Sequence, residues 1–92
     1  MQRNTAETIA IQALGWLAAN EELLPVFLGA TGVGTDEMGA RVQEPEFLGS
    51  VLEFLMNEDA WVMQFCDEIG LGYDQPMAAR QSLPGGEQIN WT

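Results

Sequence analysis

The sequence has no histidine and no lysine, and it contains only three arginines and one cysteine among 92 residues. Without histidine, the commonest general base of enzymes and the commonest nitrogen ligand of zinc are both missing. Without lysine, neither a Schiff base nor the lysine of a phosphate-binding loop can be supplied. A single cysteine, Cys66, excludes a disulfide within the chain. These absences predict a protein that is not an enzyme and has no catalytic, cofactor-binding or metal-ligating residues.

Basic residues are so scarce that fourteen acidic residues leave a formal net charge of −11. Proteins bind duplex nucleic acid and anionic membranes largely through lysine and arginine, so neither is expected as a direct partner. The N-terminus lacks the apolar core of a signal peptide, and the apolar stretch 9–19 is shorter than the ~20 residues of a membrane span. Together with the lone cysteine, this pattern predicts a cytoplasmic protein.

Apolar residues recur at helical spacing along most of the chain, and no stretch alternates for long enough to be a strand. The pattern predicts an all-α single domain of five to six short helices over residues 1–83, followed by a flexible C-terminal tail, residues 84–92. Predicted helices run from Asn4 to about Ala18, from 20–22 to Gly32, from about 36 to 42, from Pro45, from 57–59 to Gly70, and from about 74 to 82. The first helix, capped by Asn4 with Glu7, is apolar over most of its circumference and is predicted to be central.

The chain aligns with itself after a shift of 38 residues. Phe27 then falls on Phe65, and Trp16 falls on Phe54. Seven positions are identical between residue 13 and residue 41: Leu14, Leu17, Phe27, Gly32, Gly34, Asp36 and Ala40. The alignment predicts two similar helix–helix–turn–helix units packed on a shared core. Duplication and convergence of helical patterns both explain it.

The segment GATGVGTD, Gly29–Asp36, has the glycine spacing of a phosphate-binding loop. Such a loop needs a strand before it and a lysine after it, whereas here a helical pattern precedes and no lysine follows. The repeat gives the glycines a structural role instead, because the first glycine of each pair stands where a helix would end. The apolar residue between the glycines, Val33 or Leu71, is predicted to fold back on the helix end. The following aspartate, Asp36 or Asp74, is predicted to cap the next helix.

Cys66 and the paired acids are the only other candidates for chemistry. A reactive thiol needs a cationic neighbour, and Cys66 on the apolar face of the fifth helix is predicted to be a small buried hydrophobe instead. The acid pairs Glu21–Glu22 and Glu58–Asp59 could act as an acid/base pair or bind a hard metal. Both pairs begin helices, where carboxylates interact favourably with the helix dipole, and adjacent residues do not share a helix face.

Three residues are candidates for binding a partner: Arg41, Arg80 and Trp91. The arginines end the third and sixth helices at nearly equivalent positions, where a cation stabilises the helix by about 0.3–1 kcal/mol. Recognition of an anion is the alternative, although no second basic residue lies near either arginine in sequence. Trp91 follows two glycines in a polar tail, and there it could anchor a partner protein or a neighbouring subunit.

Three segments resemble those of a known protein family, and they cover nearly the whole chain before its tail. They are ALGWLAANEELLPVFLGATGVG, EPEFLGSVLEFLMNEDAWVMQFCDEIGL and AARQSLPGG. They resemble a bacterial family of small acidic helical proteins, domain of unknown function family 3572. Its P-x-F-L-x-x-V-L-x-F-L pattern is matched by Pro45, Phe47, Leu48, Val51, Leu52, Phe54 and Leu55. Its E-x-L-x-x-F-L-x-x-T-G pattern is matched more loosely, by Glu21, Leu23, Phe27, Thr31 and Gly32. The resemblance implies an all-helical fold and no catalytic residue.

Two functions from different classes agree with these observations. The first is a non-catalytic protein–protein interaction module or small subunit, able to associate with itself as a homodimer. The second is an acidic decoy that occupies the basic groove of a nucleic-acid-binding protein. A decoy should lose affinity steeply with salt, whereas a hydrophobic contact should hardly change. An enzyme would need a cleft lined by converging, partly buried carboxylates.

Overall fold

The computed structural model describes residues 1–83, and every regular element within them is helical. The elements are α1 (Arg3–Ala19), α2 (Leu23–Thr31), a 3-10 turn (Thr35–Glu37), α3 (Met38–Arg41), α4 (Pro45–Leu55), α5 (Asp59–Ile69) and α6 (Gln75–Gln81). The predicted all-α single domain is therefore confirmed. The predicted tail and its Trp91 lie outside the described residues.

Helix α1 is the central helix, as its apolar circumference predicts. Its buried residues are Ala6, Ile9, Ala10, Ala13, Leu14 and Leu17. Three of these are alanines, whose small side chains let neighbouring helices approach closely, and α1 contacts α2, α4 and α6. No helix in the described part of the chain is long and apolar enough to cross a membrane.

Two helix starts follow the sequence signals, and the start of α1 departs from them. Pro45 occupies the first turn of α4, where its missing N–H costs nothing. The Oδ1 atom of Asn20 accepts the N–H groups of Glu22 and Leu23, each at 3.1 Å, and so caps the start of α2. The predicted Asn4 cap is wrong, because α1 begins at Arg3 after the N-cap residue Gln2 and has no side-chain cap.

The first glycine of each turn ends its helix in the left-handed conformation, as predicted. Gly32 and Gly70 share a φ of 73°, and they alone among residues 1–83 have positive φ. After Gly70, the N–H of Leu71 donates to the carbonyl oxygen of Cys66 at 2.9 Å, the bond of a Schellman cap. At Gly32 the cap is simpler, with the Gly32 N–H donating to the carbonyl oxygen of Leu28 at 2.8 Å.

The second glycine of each turn lies against an aspartate, which does not act as predicted. Neither the 3-10 turn nor α6 has a side-chain cap hydrogen bond, so the predicted caps by Asp36 and Asp74 are wrong. The N–H of Gly34 instead donates to Oε1 of Glu37 at 2.9 Å. A Cβ atom on Gly34 or Gly72 would lie 2.9 Å from Oδ1 of the aspartate two residues later. Both turns thus place a carboxylate close to a glycine backbone.

Aromatic rings of the two aligned halves of the chain, residues 13–41 and residues 51–79, contact each other. Trp16 of α1 meets Phe65 of α5 edge to face, with ring centroids 6.1 Å apart. Phe54 of α4 meets Phe27 of α2 in the same manner, with centroids 5.3 Å apart. These two contacts are equivalent under the shift of 38 residues. Each half therefore completes its core with an aromatic ring from the other, and the halves form one folding unit.

Candidate binding cleft

A cleft of about 310 Å³ opens between the C-terminal end of α2 and one side of α4. It is lined by Ala30, Thr31, Val33, Arg41, Phe47, Ser50, Glu53, Phe54 and Asn57. Three lining residues are buried and apolar, namely Val33, Phe47 and Phe54. The volume is at the lower end of the range found for small-molecule sites, and it suits one large side chain as well as it suits a ligand.

The aromatic residues beneath the cleft hold its shape. Phe27, which is fully buried, meets Phe47 with centroids 6.1 Å apart and Phe54 with centroids 5.3 Å apart, both edge to face. On its other side Phe54 stacks on Trp61, with centroids 5.2 Å apart and planes 22° apart. Edge-to-face and offset-stacked rings are the favoured aromatic geometries, so the base of the cleft is well packed.

Helix α2 leaves an apolar face uncovered beside the cleft. No charged residue occurs in Leu23–Thr31, yet only Phe27 of this helix is fully buried. Val26 is 52% exposed, and Gly29 and Ala30 are exposed one turn further on. We call Val26, Gly29 and Ala30 the α2 face. Ala30 also lines the cleft, so the α2 face and the cleft form one continuous surface, called the docking surface below.

Helical spacing alone does not reveal this surface. Leu24, Phe27 and Leu28 form one apolar stripe of α2, yet only Phe27 is fully buried while the two leucines are half-buried. One signal was present in the sequence: Val26 lies off the stripe in a helix that has no charged residue to mark a solvent-facing side.

Both predicted arginines lie at the cleft, one in its lining and one behind it. Arg41 lines the cleft, and its Nη1 lies 3.1 Å from Oε1 of Glu44. Arg80 of α6 contributes Nη2 at 2.6 Å from Oε2 of Glu53, which is itself a lining residue. Each arginine stands in the last turn of its helix and is paired with a carboxylate, so these ion pairs offset both positive charges. The third candidate, Trp91, lies outside the described residues.

A second hollow, of about 350 Å³, occupies the equivalent place in the other half of the domain. Its lining consists of Trp16, Ala19, Asn20, Glu21, Glu22 and Glu68. Trp16 is the 38-residue equivalent of Phe54. Glu68 is likewise the equivalent of Ala30, and its Oε2 accepts the indole N–H of Trp16 at 2.9 Å. A carboxylate therefore lies at the N–H edge of the aromatic ring here, whereas the equivalent residue of the first cleft, Ala30, brings no charge.

The acidic residues do not converge on a metal site in the part of the chain that the structure describes. No group of three or more acids or cysteines there has the geometry to hold an ion. Glu58 and Asp59 are exposed at the start of α5, and Glu21 and Glu22 are exposed just before α2. These pairs thus stand at helix starts, as their sequence positions indicate.

Cys66 is a buried core residue rather than an exposed thiol. Its side chain is fully buried, and its Sγ lies 3.5 Å from the carbonyl oxygen of Gly72. Burial, followed by the nearby charges of Asp67 and Asp74, raises the pKa of the Cys66 thiol above its ordinary value. The thiol therefore stays protonated, and hence weakly nucleophilic, at neutral pH.

Alkylation of the cysteine should report this burial directly. We expect iodoacetamide at about pH 8 to modify native Cys66 at least ~10-fold more slowly than the chain unfolded in guanidinium chloride, because only an accessible thiolate reacts quickly. The thiolate fraction of the unfolded chain rises around pH ~8.5, and that of the native chain rises only at higher pH. The rates can be followed by mass spectrometry. Equal rates for native and unfolded chains would show that Cys66 is accessible and reactive.

Comparison with known proteins identifies a family without indicating an activity. Residues 3–86 match the model of a family described as protein of unknown function (DUF3572). No curated protein and no solved structure matches the chain.

Proposed function

The chain belongs to the DUF3572 family, and from its docking surface we propose that it is a non-catalytic protein–protein interaction module or small subunit. One observation supports this proposal above the others: an uncharged α2 face lies open to solvent and continues into a cleft with an aromatic base. Contiguous apolar surface on a small protein commonly marks a contact site.

The polar groups of the cleft favour binding over catalysis. The hydroxyl of Ser50 donates to the carbonyl oxygen of Phe47 at 2.6 Å, which leaves it without an activating base. Glu53 is engaged by Arg80, and Arg41 is engaged by Glu44. The groups that could act on a substrate are thus held by structural bonds. A cytoplasmic location forms part of the proposal and is supported by the lone cysteine, which is a buried free thiol.

A charge placed on the α2 face should abolish partner binding. We expect the tagged wild-type protein to capture a specific partner from a lysate of its source cells and Val26→Glu to lose it, because the new carboxylate would have to be desolvated in the contact. Met63→Glu is the matched control, since Met63 is 46% exposed on α5 and lies outside the docking surface. Captured proteins would be quantified by mass spectrometry.

Two results would contradict the proposal. Wild-type protein that captures nothing specific would remove the interaction function altogether. If Val26→Glu still captures the partner but Trp91→Ala does not, the partner contacts the C-terminal residues and not the α2 face.

The acidic decoy is the second candidate function, and the surface charge favours it. The described chain has three ion pairs, which engage Glu7, Glu44 and Glu53, so most of its carboxylates lie outside any ion pair. A decoy would bind a basic groove through these carboxylates and would lose affinity steeply as salt rises. Self-association as a homodimer is a weaker proposal, because two copies of net charge −11 repel each other.

A further inference from the structure

We propose that the docking surface binds a cationic amphipathic segment of a partner protein, with apolar side chains seated in the cleft and lysine or arginine side chains facing the acids around it. This inference rests on the interaction function proposed above and specifies the chemistry of the partner. A helix with apolar residues on one side, laid into a hydrophobic groove, is a common mode of recognition.

The cleft has an apolar base and a mixed lining, since Val33, Phe47 and Phe54 are joined by the polar residues Thr31, Arg41, Ser50, Glu53 and Asn57. Acids flank the lining segments in sequence, with exposed carboxylates that belong to none of the three ion pairs: Asp36 and Glu37 follow Val33, Glu46 precedes Phe47, and Glu58 and Asp59 follow Asn57. The arginines at the cleft, Arg41 and Arg80, are already paired with carboxylates. A partner segment that carries its own positive charges therefore complements this surface, and a neutral or acidic segment does not.

The same charge disfavours the other occupants of an apolar groove. A second copy of the chain would bring a further net charge of −11 to an acidic surface. A nucleic acid would be repelled for the same reason. The basic side chains of a partner protein are the remaining source of complementary charge.

The equivalent hollow in the other half acts as an internal comparison. There, Glu68 accepts the indole N–H at the edge of the Trp16 ring. At the docking surface, Ala30 replaces that carboxylate and the base of the cleft stays apolar. Ala30→Glu would therefore give the docking surface the residue that lines the second hollow at the equivalent position. The same change adds a negative charge, so apolar seating and simple charge attraction predict opposite effects on a cationic segment.

The test uses three synthetic helical peptides of about 18 residues, each ~27 Å long as a helix. The first has leucine and phenylalanine on one face and lysine elsewhere. The second has the same composition in scrambled order, and the third has glutamate in place of lysine. We expect the full-length protein to bind the first peptide at least ~10-fold more tightly than either of the others, as measured by isothermal titration calorimetry at about 0.1 M salt.

The variants then separate apolar seating from charge attraction. Ala30→Glu should weaken the lysine peptide at least ~10-fold, because a carboxylate would lie where an apolar side chain seats. Ala18→Glu is the matched control: Ala18 is exposed on α1 and lines neither hollow, so the affinity should stay equal or rise slightly. Circular dichroism confirms that both variants stay folded.

The contrary outcomes are distinct. Equal binding of the glutamate peptide would overturn the cationic partner and leave the interaction function intact. If Ala30→Glu binds the lysine peptide as tightly as Ala18→Glu does, the contact is one of charge alone, as for a decoy. Tighter binding by Trp91→Ala would show that the C-terminal residues of the chain occupy the cleft. If no peptide binds although a partner sensitive to Val26→Glu is captured from cells, only this inference fails.

Discussion

Phe27→Ala is expected to destabilise the domain by about 3–5 kcal/mol, a large fraction of the ~5–15 kcal/mol available to a small domain. Phe27 is fully buried and contacts the rings of both Phe47 and Phe54. Its removal would open a cavity at the junction of the two halves and beneath the cleft. Urea unfolding followed by circular dichroism measures the loss, with the folded fraction checked before denaturant is added.

The equivalent residue Phe65 provides the comparison. Phe65 is also fully buried and contacts Trp16, so Phe65→Ala should cost about 3–5 kcal/mol as well. Met63→Ala, at a half-exposed position of the same helix, should stay within about 0.5 kcal/mol of the wild type. A loss below about 1 kcal/mol for Phe27→Ala would mean that the aromatic contacts between the halves do not stabilise the core.

Alanine at Gly70 and alanine at Gly15 are expected to change stability in opposite directions. Gly70 has a φ of 73° and open space around its Cβ position, so Gly70→Ala should cost about 1–2 kcal/mol through backbone strain alone. Gly15 lies exposed inside α1, also with open space, and Gly15→Ala should stabilise by about 0.5–1 kcal/mol through helix propensity. The two variants should therefore differ by about 1.5–3 kcal/mol in urea unfolding.

The second left-handed glycine makes this test more stringent. Gly32→Ala should behave like Gly70→Ala, since the two residues share the same φ and have the same open surroundings. If alanine were tolerated at both positions, the glycine turns would not be the helix ends that the structure gives them. A phosphate bound at either turn would also contradict the account, because the glycines would then form a ligand site and not only helix ends.

The sequence predicted the helices well because their signals are local. Pro45 marks a first turn, Asn20 marks a helix start, and Gly32 and Gly70 mark left-handed helix ends, and each does so through its own backbone or side-chain chemistry. The burial of Cys66 followed from its position on an apolar stripe. The shift of 38 residues relates the Trp16–Phe65 contact to the Phe54–Phe27 contact, and duplication and convergence both still explain it.

The predictions that failed are side-chain helix caps, which depend on which of several neighbouring polar groups bonds a given backbone N–H. Asp36 was expected to cap the next helix, yet its side chain forms no cap bond, and the neighbouring Glu37 side chain accepts the N–H of Gly34. Composition alone does not decide which of two adjacent carboxylates bonds the backbone of a turn. Asn4 does not cap α1, because the helix already begins at Arg3. Glu7, the predicted partner of Asn4 in the cap, forms an ion pair with Arg3 instead.

The docking surface was signalled in the sequence only by the position of Val26, because exposure is a property of tertiary packing. The composition of α2 is that of a buried helix, and only the arrangement of α1 and α4 shows that Val26 stays uncovered. The grouping of Arg41, Glu53 and Arg80 likewise depends on how α3, α4 and α6 meet. Sequence reasoning had placed the two arginines at separate helix ends with nothing to connect them.

The central claim is that the docking surface is where this protein meets its partner. The most direct measurement is a titration of ¹⁵N-labelled protein with the lysine peptide, followed by NMR amide shifts. The account predicts that the largest shifts fall on Val26, Gly29, Ala30 and Phe54, while the indole N–H of Trp16, bonded to Glu68, stays in place. Shifts spread over the acidic surface, or centred on Trp16, would contradict it.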